Sequence, residues 1–426
     1  MKKSILLIVA VFTTIISFAQ DEIIMMQYNL LNYGNVTSYC TVANNSYLDK
    51  EPYLRTLVQY IKPDIFTVNE LGSSTFIHQR ILDSVMNRNS VKQYGKADYI
   101  NTNGSNLVNM LYYNKAKLVY VDAQSIQNTV RDIVLYRLYY KSPNLAQDHD
   151  TAWINCIVAH LKSSNNSDGR NKRDIMTAAA MSFLTQHNYK GNYMFMGDFN
   201  VYKSSEQGYK NMVEYSDVNY RFIDPINRPG SWNNKSSYAD VHTQSTHSSS
   251  NGCAAGGGLD DRFDFILISK DIKEGNKHIT YKPNSYKAIG NDGNHFNKSI
   301  NYGTNNSVPA NVLDALYNHS DHLPIVLKLK IDNTVSSIGN IAANNLIVNY
   351  QNPIDGVLDL SIKSDNTGQR TIEIWSITGQ LVVSKIVYGN NINTNISLEN
   401  FANGMYVLKI NNKDGISEYT AKIIKQ

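Results

Sequence analysis

Between residues 23 and 330, short apolar runs alternate with stretches of helical period. Strand-like runs lie at Ile23–Leu30, Ile65–Val68, Leu107–Tyr113, Trp153–His160, Tyr193–Met196, Phe263–Ile268 and Leu323–Leu329. Helical period governs Leu48–Ile61, where Leu54, Leu57, Val58 and Ile61 share one face, and it recurs at Phe76–Met86 and Arg173–Leu184. Alternation of this kind predicts an α/β domain whose sheets are covered by helices.

Two long polar stretches interrupt it, near 243–258 (Ser-, Asn- and Gly-rich) and at 283–311. Loops this long are functional or mobile. His242, His247 and His295 lie in or beside them and read as solvent-exposed loop histidines rather than ligands. After residue 331 the texture changes. Asp332–Asn340 is a polar linker of small residues, and short alternating segments follow at Val357–Ile362, Thr371–Ile377, Gln380–Val387, Met405–Ile410 and Tyr419–Ile424. Turn residues separate them, as in Ile377-Thr378-Gly379-Gln380. Short strands without a helix predict a compact all-β sandwich. No carboxylate–histidine cluster occurs there, so the chemistry is expected upstream.

The start of the chain reads as a targeting segment. Lys2 and Lys3 precede a mostly apolar run from 5 to 16, and Ser17-Phe18-Ala19 supplies the small residues of a cleavage site. The run is shorter than the roughly 20 residues a membrane helix needs. A length of 426 residues suggests two or three units. The net charge of +4 suits an anionic substrate, but no polybasic run predicts tight non-specific binding to duplex backbone. Of three cysteines, Cys156 sits in an apolar run and reads as a buried strand residue, while Cys40 and Cys253 lie in polar loops and are the expected disulfide pair. No Cys-x-x-Cys spacing calls for structural zinc.

Five short motifs each end or follow a predicted strand. Asn29, in Gln27-Tyr28-Asn29-Leu30-Leu31-Asn32, offers an amide where a strand emerges. Glu70 ends Ile65-Phe66-Thr67-Val68-Asn69-Glu70 and is a hard oxygen ligand suited to Mg²⁺, which takes one or two protein carboxylates. His160 follows a buried run and can hydrogen-bond a phosphate oxygen or move a proton. In Met196-Gly197-Asp198-Phe199-Asn200, Gly197 lets the backbone turn so that Asp198 and Asn200 project two residues apart. Ser320-Asp321-His322-Leu323-Pro324 sets a carboxylate beside a histidine whose tautomer a second carboxylate, Asp264 or Asp261, would fix. Singly, each has a bland reading as a turn-forming Asn, a solvated Glu or a core His. Together they supply what phosphodiester hydrolysis needs: a positioned water, a metal, and donors for the non-bridging oxygens.

In these motifs, and in their order, residues 23–330 resemble the endonuclease/exonuclease/phosphatase superfamily, which includes pancreatic-type deoxyribonucleases, abasic-site endonucleases, bacterial sphingomyelinases and inositol-polyphosphate phosphatases. The resemblance implies a four-layer α/β/β/α sandwich with the site at one edge of two packed sheets. It implies that Glu70 and Asn29 hold Mg²⁺ (or Mn²⁺ or Ca²⁺), with Asp321 near the metal, and that Asp198 orients the attacking water while Asn200 contacts the phosphate. His160 would stabilise the transition state or protonate the leaving group, and His322 would be the base, oriented by Asp264, with Asp261 as the alternative partner. His160 stands where abasic-site enzymes carry a tyrosine-containing segment, which argues against abasic-site repair. Deoxyribonuclease-like members place an acidic residue before the strand matching Leu107–Tyr113 to support that histidine, and the nearest candidate in this chain is Asn106.

The C-terminal segment is similar to type A sorting domains of the type IX secretion system, through Asn352-Pro353, Ile374-Trp375-Ser376-Ile377-Thr378-Gly379-Gln380, Leu398-Glu399-Asn400-Phe401-Ala402-Asn403-Gly404-Met405-Tyr406-Val407 and the final lysines Lys422 and Lys425. The expected organisation is a signal peptide over 1–19, a catalytic domain over 20–331, a linker over 332–343 and a sorting domain over 344–426. The expected protein is a secreted or cell-surface Mg²⁺-dependent nuclease acting on DNA or RNA, exported by the type IX machinery and without a transmembrane segment when mature. A phosphatase or sphingomyelinase-like enzyme of the same fold is the alternative. A non-catalytic surface binding module is disfavoured, because Glu70, His160, Asp198 and His322 are all present.

Overall fold

A computed structural model describes residues 21–142, 151–189, 191–331, 346–413 and 417–426. The expected signal peptide and linker lie outside the described residues. Contacts divide the chain into two compact units, Met1–Asn333 and Thr334–Gln426.

In the first unit, strand β1 (Glu22–Tyr33) shows how the layers arise. Ile23 and Met25 join one apolar cluster, while Met26, Tyr28 and Leu30 join another on the opposite face. A strand buried on both faces reads as a near-continuous apolar run, and this one does from Ile23 to Leu30 apart from Gln27 and Asn29. The same holds for β2 (Ile65–Gly72), β7 (Trp153–His160), β8 (Asn192–Asp198) and β10 (Asp264–Ser269). With β3 (Tyr94–Lys96), β4 (Leu107–Asn114), β11 (Ile279–Tyr281) and β13 (Ile325–Ile331), the first sheet runs β11-β13-β1-β2-β4-β3, and β12 (Lys287–Ala288) pairs with β13. With β5 (Leu118–Gln127), β6 (Ile133–Tyr140) and β9 (Phe222–Ile223), the second runs β5-β6-β7-β8-β10-β9.

The sheets face each other across one cluster, in which Met25, Ile65 and Leu327 of the first meet Val134, Val158, Met196 and Ile266 of the second. Helices α1 (Tyr47–Ile61), α2 (Thr75–Arg80) and α5 (Ala310–His319) cover the outer face of the first sheet through Leu54, Leu57, Ile77, Val312 and Leu316. Helices α3 (Ser167–His187) and α4 (Gln207–Val213) cover the second through Met176, Ala180, Met181 and Met212. The order is α/β/β/α, four layers.

Several expectations are corrected. The β5–β6 hairpin is absent from the sequence reading because its segments, with Asp122, Arg137 and several tyrosines, mix exposed and buried positions. Helix α5 starts inside the stretch read as irregular, and Phe76–Met86 is α-helical only to Arg80, continuing as a π-helix over Ile81–Met86. His242 and His295 are buried rather than exposed, because their loops fold back and each ring meets a carbonyl: His242 Nε2 lies 2.8 Å from Trp232 O and His295 Nε2 2.8 Å from Tyr302 O. Among the described residues no helix is long and apolar enough to cross a membrane.

The second unit is all antiparallel β. Strands β14 (Ile347–Asn349), β15 (Val357–Ser376), β17 (Gly404–Asn412) and β18 (Ser417–Lys425) lie in that order, and β16 (Leu381–Ser397) pairs along β15. The two segments read as separate strands, 357–362 and 371–377, belong mostly to the single long β15, whose register with β16 shifts between Lys363 and Gly368. Both halves contribute to one core, through Leu358 and Ile362 on one side of the shift and Ile372 and Ile374 on the other.

Candidate active site

Each sheet has one parallel pair, β1 with β2 and β7 with β8, connected by the crossover helices α1 and α3. Ligand-facing groups in such units collect at the carboxyl ends of the strands. Asn29 and Glu70 mark that end in the first sheet, His160 and Asp198 in the second, where they stand in register. Asp198 can approach β7 because its neighbour is glycine: a Cβ on Gly197 would lie 1.8 Å from Ala159 O. Leu31, Asn32, Glu70 and Asn200 all take left-handed backbone, with φ of 51°, 48°, 54° and 51°. Non-glycine residues held there concentrate at functional sites.

The side chains converge. Glu70 Oε1 and Asp198 Oδ2 each lie 3.6 Å from His160 Nε2, and the Asn29 amide NH₂ donates to both carboxylates at 3.1 and 3.0 Å. Asn29 Oδ1 accepts from Leu31 N at 2.9 Å, which fixes the amide's orientation, so Asn29 faces the centre as a donor and not with its oxygen. Glu70 Oε2 accepts from Asn32 N and Nδ2 at 3.1 and 3.2 Å. Asp198 Oδ1 accepts from Asn200 N at 3.0 Å, and Asn200 Nδ2 turns to Leu161 O at 3.3 Å.

His322 approaches from the β13 side. Its Nδ1 lies 2.7 Å from Asp264 Oδ2 and its Nε2 3.9 Å from Asp198 Oδ2. Asp264 is therefore the histidine's partner, while Asp261 accepts from Asn233 Nδ2 at 2.8 Å. Asp321 Oδ2 accepts from Gln244 Nε2 at 3.1 Å and Ala255 N at 2.9 Å, beside His322. Asn106 is exposed and bonds Ser73 through its carbonyl, so it gives the buried His160 no support.

Burial, with the charges of Asp264 and Glu70, pushes Asp198 up to about 7, against the pull of His322. Burial, helped by Arg131, His322 and Lys162, holds His160 well below the usual imidazole value, so it is neutral at pH 7. At His322 burial is outweighed by the charge and hydrogen bond of Asp264 and by Asp321 and Asp198, and the proton is held more tightly than usual. Gln244 opposes them. Its NH₂, held to the Asp321 carboxylate, also sits 2.8 Å from His322 Nε2, a contact that needs the lone pair of a neutral ring.

The ligand atoms of Glu70, His160 and Asp198 all lie within 4.8 Å of one another. The two carboxylate oxygens at that spacing fit a divalent cation, with the His160 imidazole beside it. Neither the Asn29 oxygen nor Asp321 is part of this cluster.

Sequence reasoning overlooked the residues that hold these groups. Asn69 Oδ1 accepts from Asp198 N at 2.9 Å and Asn69 Nδ2 donates to Asn109 Oδ1 at 2.7 Å, a buried polar seam between the sheets. Gln27, Asn69 and Asn109 are polar residues inside apolar strands, and that was the available signal. Arg131 Nη1 donates to Leu161 O at 3.1 Å beside the histidine.

Residues 349–426 match the family model of the secretion system C-terminal sorting domain. That tail implies type IX secretion, to the cell surface or beyond. No curated protein matches the chain. Solved structures similar to it include an endonuclease/exonuclease/phosphatase from Bacteroides vulgatus (12% identity, 73% of this chain and 100% of that one, TM-score 0.45). Others are D. rerio TDP2 complexed with single-strand DNA product (11%, 73% and 99%, 0.44) and the human Nocturnin catalytic domain with bound sulfate (14%, 73% and 97%, 0.43). At TM-scores below 0.5 these likenesses do not bear on what this chain does.

Proposed function

We propose that residues 20–331 form a divalent-cation-dependent phosphodiesterase, a nuclease acting on DNA or RNA with Mg²⁺, delivered by a signal peptide over 1–19 and a sorting domain over 344–426 joined by the linker 332–343. The observation that carries this is the meeting of Glu70, His160 and Asp198 with the His322–Asp264 pair at one edge of the two sheets. Glu70 Oε1 and Asp198 Oδ2 would hold the cation, which when bound neutralises charge developing on phosphate oxygens. Asn29 keeps the two carboxylates together by donating to both. Asp198 orients the water, and His322 takes its proton at Nε2 while Asp264 keeps Nδ1 protonated. Neutral His160 donates an N–H to a phosphate oxygen, and Asn200 supplies a second donor once its amide leaves Leu161 O.

One observation favours a lipid phosphoester as the second reading. The loop that leaves Asn32 carries Val36, Tyr39 and Val42 at 64%, 58% and 67% exposure, an apolar rim next to the site. The test is incubation of the purified protein with plasmid DNA, RNA and sphingomyelin, each with Mg²⁺ and with EDTA. Mg²⁺-dependent cutting of either nucleic acid supports the nuclease. Inert nucleic acids with cleaved sphingomyelin transfer the proposal to the lipid, and no cleavage of any of the three sinks the nuclease and lipid readings together.

A further inference from the structure

We infer that Lys50 is a positioning residue for Glu70: it pins the turn that decides which oxygen of that carboxylate faces the centre. The inference rests on the reading of Glu70 as a metal ligand.

At Leu31 and Asn32 strand β1 leaves the extended conformation, and its register with β2 shifts between Asn29 and Tyr33. Consecutive left-handed residues turn their carbonyls out of the ladder, and buried carbonyls need partners. Lys50, 4% exposed, supplies them. Its Nζ donates to Leu30 O at 2.7 Å, to Leu31 O at 2.8 Å and to Asn45 Oδ1 at 2.8 Å. Asn45 completes the clamp, its Nδ2 donating to Leu31 O at 3.0 Å and Asn32 O at 3.2 Å.

An ammonium has three N–H groups and no acceptor, so this lysine has nothing left to offer a phosphate. What the clamp achieves lies on the other side of the turn. Asn32 N and Nδ2 both point at Glu70 Oε2, which is thereby occupied, and Oε1 is left toward Asn29 and His160. Burial pushes the lysine down to about 7, with Asp321 and Glu70 pulling the other way.

The test is Mn²⁺ binding by titration calorimetry, without substrate, to the full chain, to Lys50→Met and to Glu70→Gln, with thermal melts of each in EDTA. Methionine keeps the apolar stem and removes the donors and the charge. Outer partners of metal ligands change affinity by about 10–100-fold, and a loss in that range is expected for Lys50→Met. A residue that only stabilised the fold would lower the melting temperature and leave the affinity of the folded protein unchanged. If Lys50→Met fails to fold, Asn45→Ala opens the clamp from its other end and is expected to weaken Mn²⁺ in the same direction by a smaller factor. Wild-type affinity in whichever variant folds, with Glu70→Gln impaired, overturns the positioning role and leaves the metal reading standing. No Mn²⁺ binding by the wild type, or full binding by Glu70→Gln, overturns both.

Discussion

His322 Nδ1 stands 2.7 Å from Asp264 Oδ2, and the two side chains are 4% and 0% exposed. The contact makes different predictions for two aspartates that spacing alone left interchangeable. His322→Ala and Asp264→Asn are each expected to lower kcat by about 10²–10⁴, the usual range for a lost general base. Asp261→Asn, whose partner is Asn233, is expected to stay within a few-fold of wild type. Steady-state turnover of a chromogenic phosphodiester separates them, and equal damage from both aspartates would reject the assignment. His322→Ala also strands a buried carboxylate, so urea unfolding should show a loss of about 1–3 kcal/mol.

Glu70→Gln removes a charge from the cluster while keeping an amide oxygen for Asn32 to meet. The Mg²⁺ concentration for half-maximal turnover is expected to rise by at least about tenfold, since even outer-shell changes have that effect. An unchanged Mg²⁺ titration would count against Glu70 as a ligand. EDTA is expected to abolish turnover in the wild type, and added Mg²⁺ to restore it.

Strand β7 was legible to the residue, Trp153–His160, because a central strand buried on both faces is an apolar run, broken here only by Asn155, and its polar terminus is the functional group. The same logic exposed Glu70, Asp198 and the strand that Asp264 opens. The β5–β6 hairpin was not legible, since half-exposed edge strands follow neither a continuous nor a cleanly alternating pattern. Spacing could not choose between Asp261 and Asp264; pairing does, because Asp264 stands in register with Asp198 across β8 and β10. Nor could it find Asn69 or Lys50. Asn69 matters through a bond to Asp198, and Lys50 through a turn whose left-handed residues have no signature in Leu31. Contacts between residues far apart in the chain are where single-sequence reading stops.

The expected Cys40–Cys253 disulfide forms, and Cys156 is buried and free. The bridge joins two loops that Asn44 and Asn251 also link, each donating its amide to the other's carbonyl, at 3.2 and 3.3 Å. Just past Cys253, Ala255 N holds Asp321. Because the bridge closes a separation of 213 residues, the double variant Cys40→Ser/Cys253→Ser should lose roughly 2–5 kcal/mol in chemical unfolding. Turnover should fall too, since Gln244 and Ala255 lie in the tethered loop. A variant as stable and as active as wild type would show that the loops hold without it. Cys156 should react with a thiol reagent only after denaturation, burial having raised its pKa and removed access.

The buried loop histidine sets an acid limit on stability. His242 Nε2 meets Trp232 O, and its buried Nδ1 makes no hydrogen bond of normal length and angle. A neutral ring satisfies that setting: the N–H donates to the carbonyl, and a second proton would put a charge where no water reaches it. Burial accordingly lowers the His242 pKa in the native state, against the pull of the Trp232 and Leu259 backbone. The unfolded chain, near 6.5, takes up a proton that the native state refuses. Unfolded protein then binds more protons below that pH, so stability falls as pH drops and is untouched above it. One such group contributes at most about 1.4 kcal/mol per pH unit to the slope. His78 is built the same way, with Nε2 at 2.8 Å from Gly72 O and an orphaned Nδ1. Replacing His242 with glutamine keeps an N–H for Trp232 and removes the titration. Between pH 7 and 5 its unfolding free energy should decline less steeply than that of the wild type, by up to one proton's worth. Parallel curves in that window would mean that His242 is protonated in the native state after all.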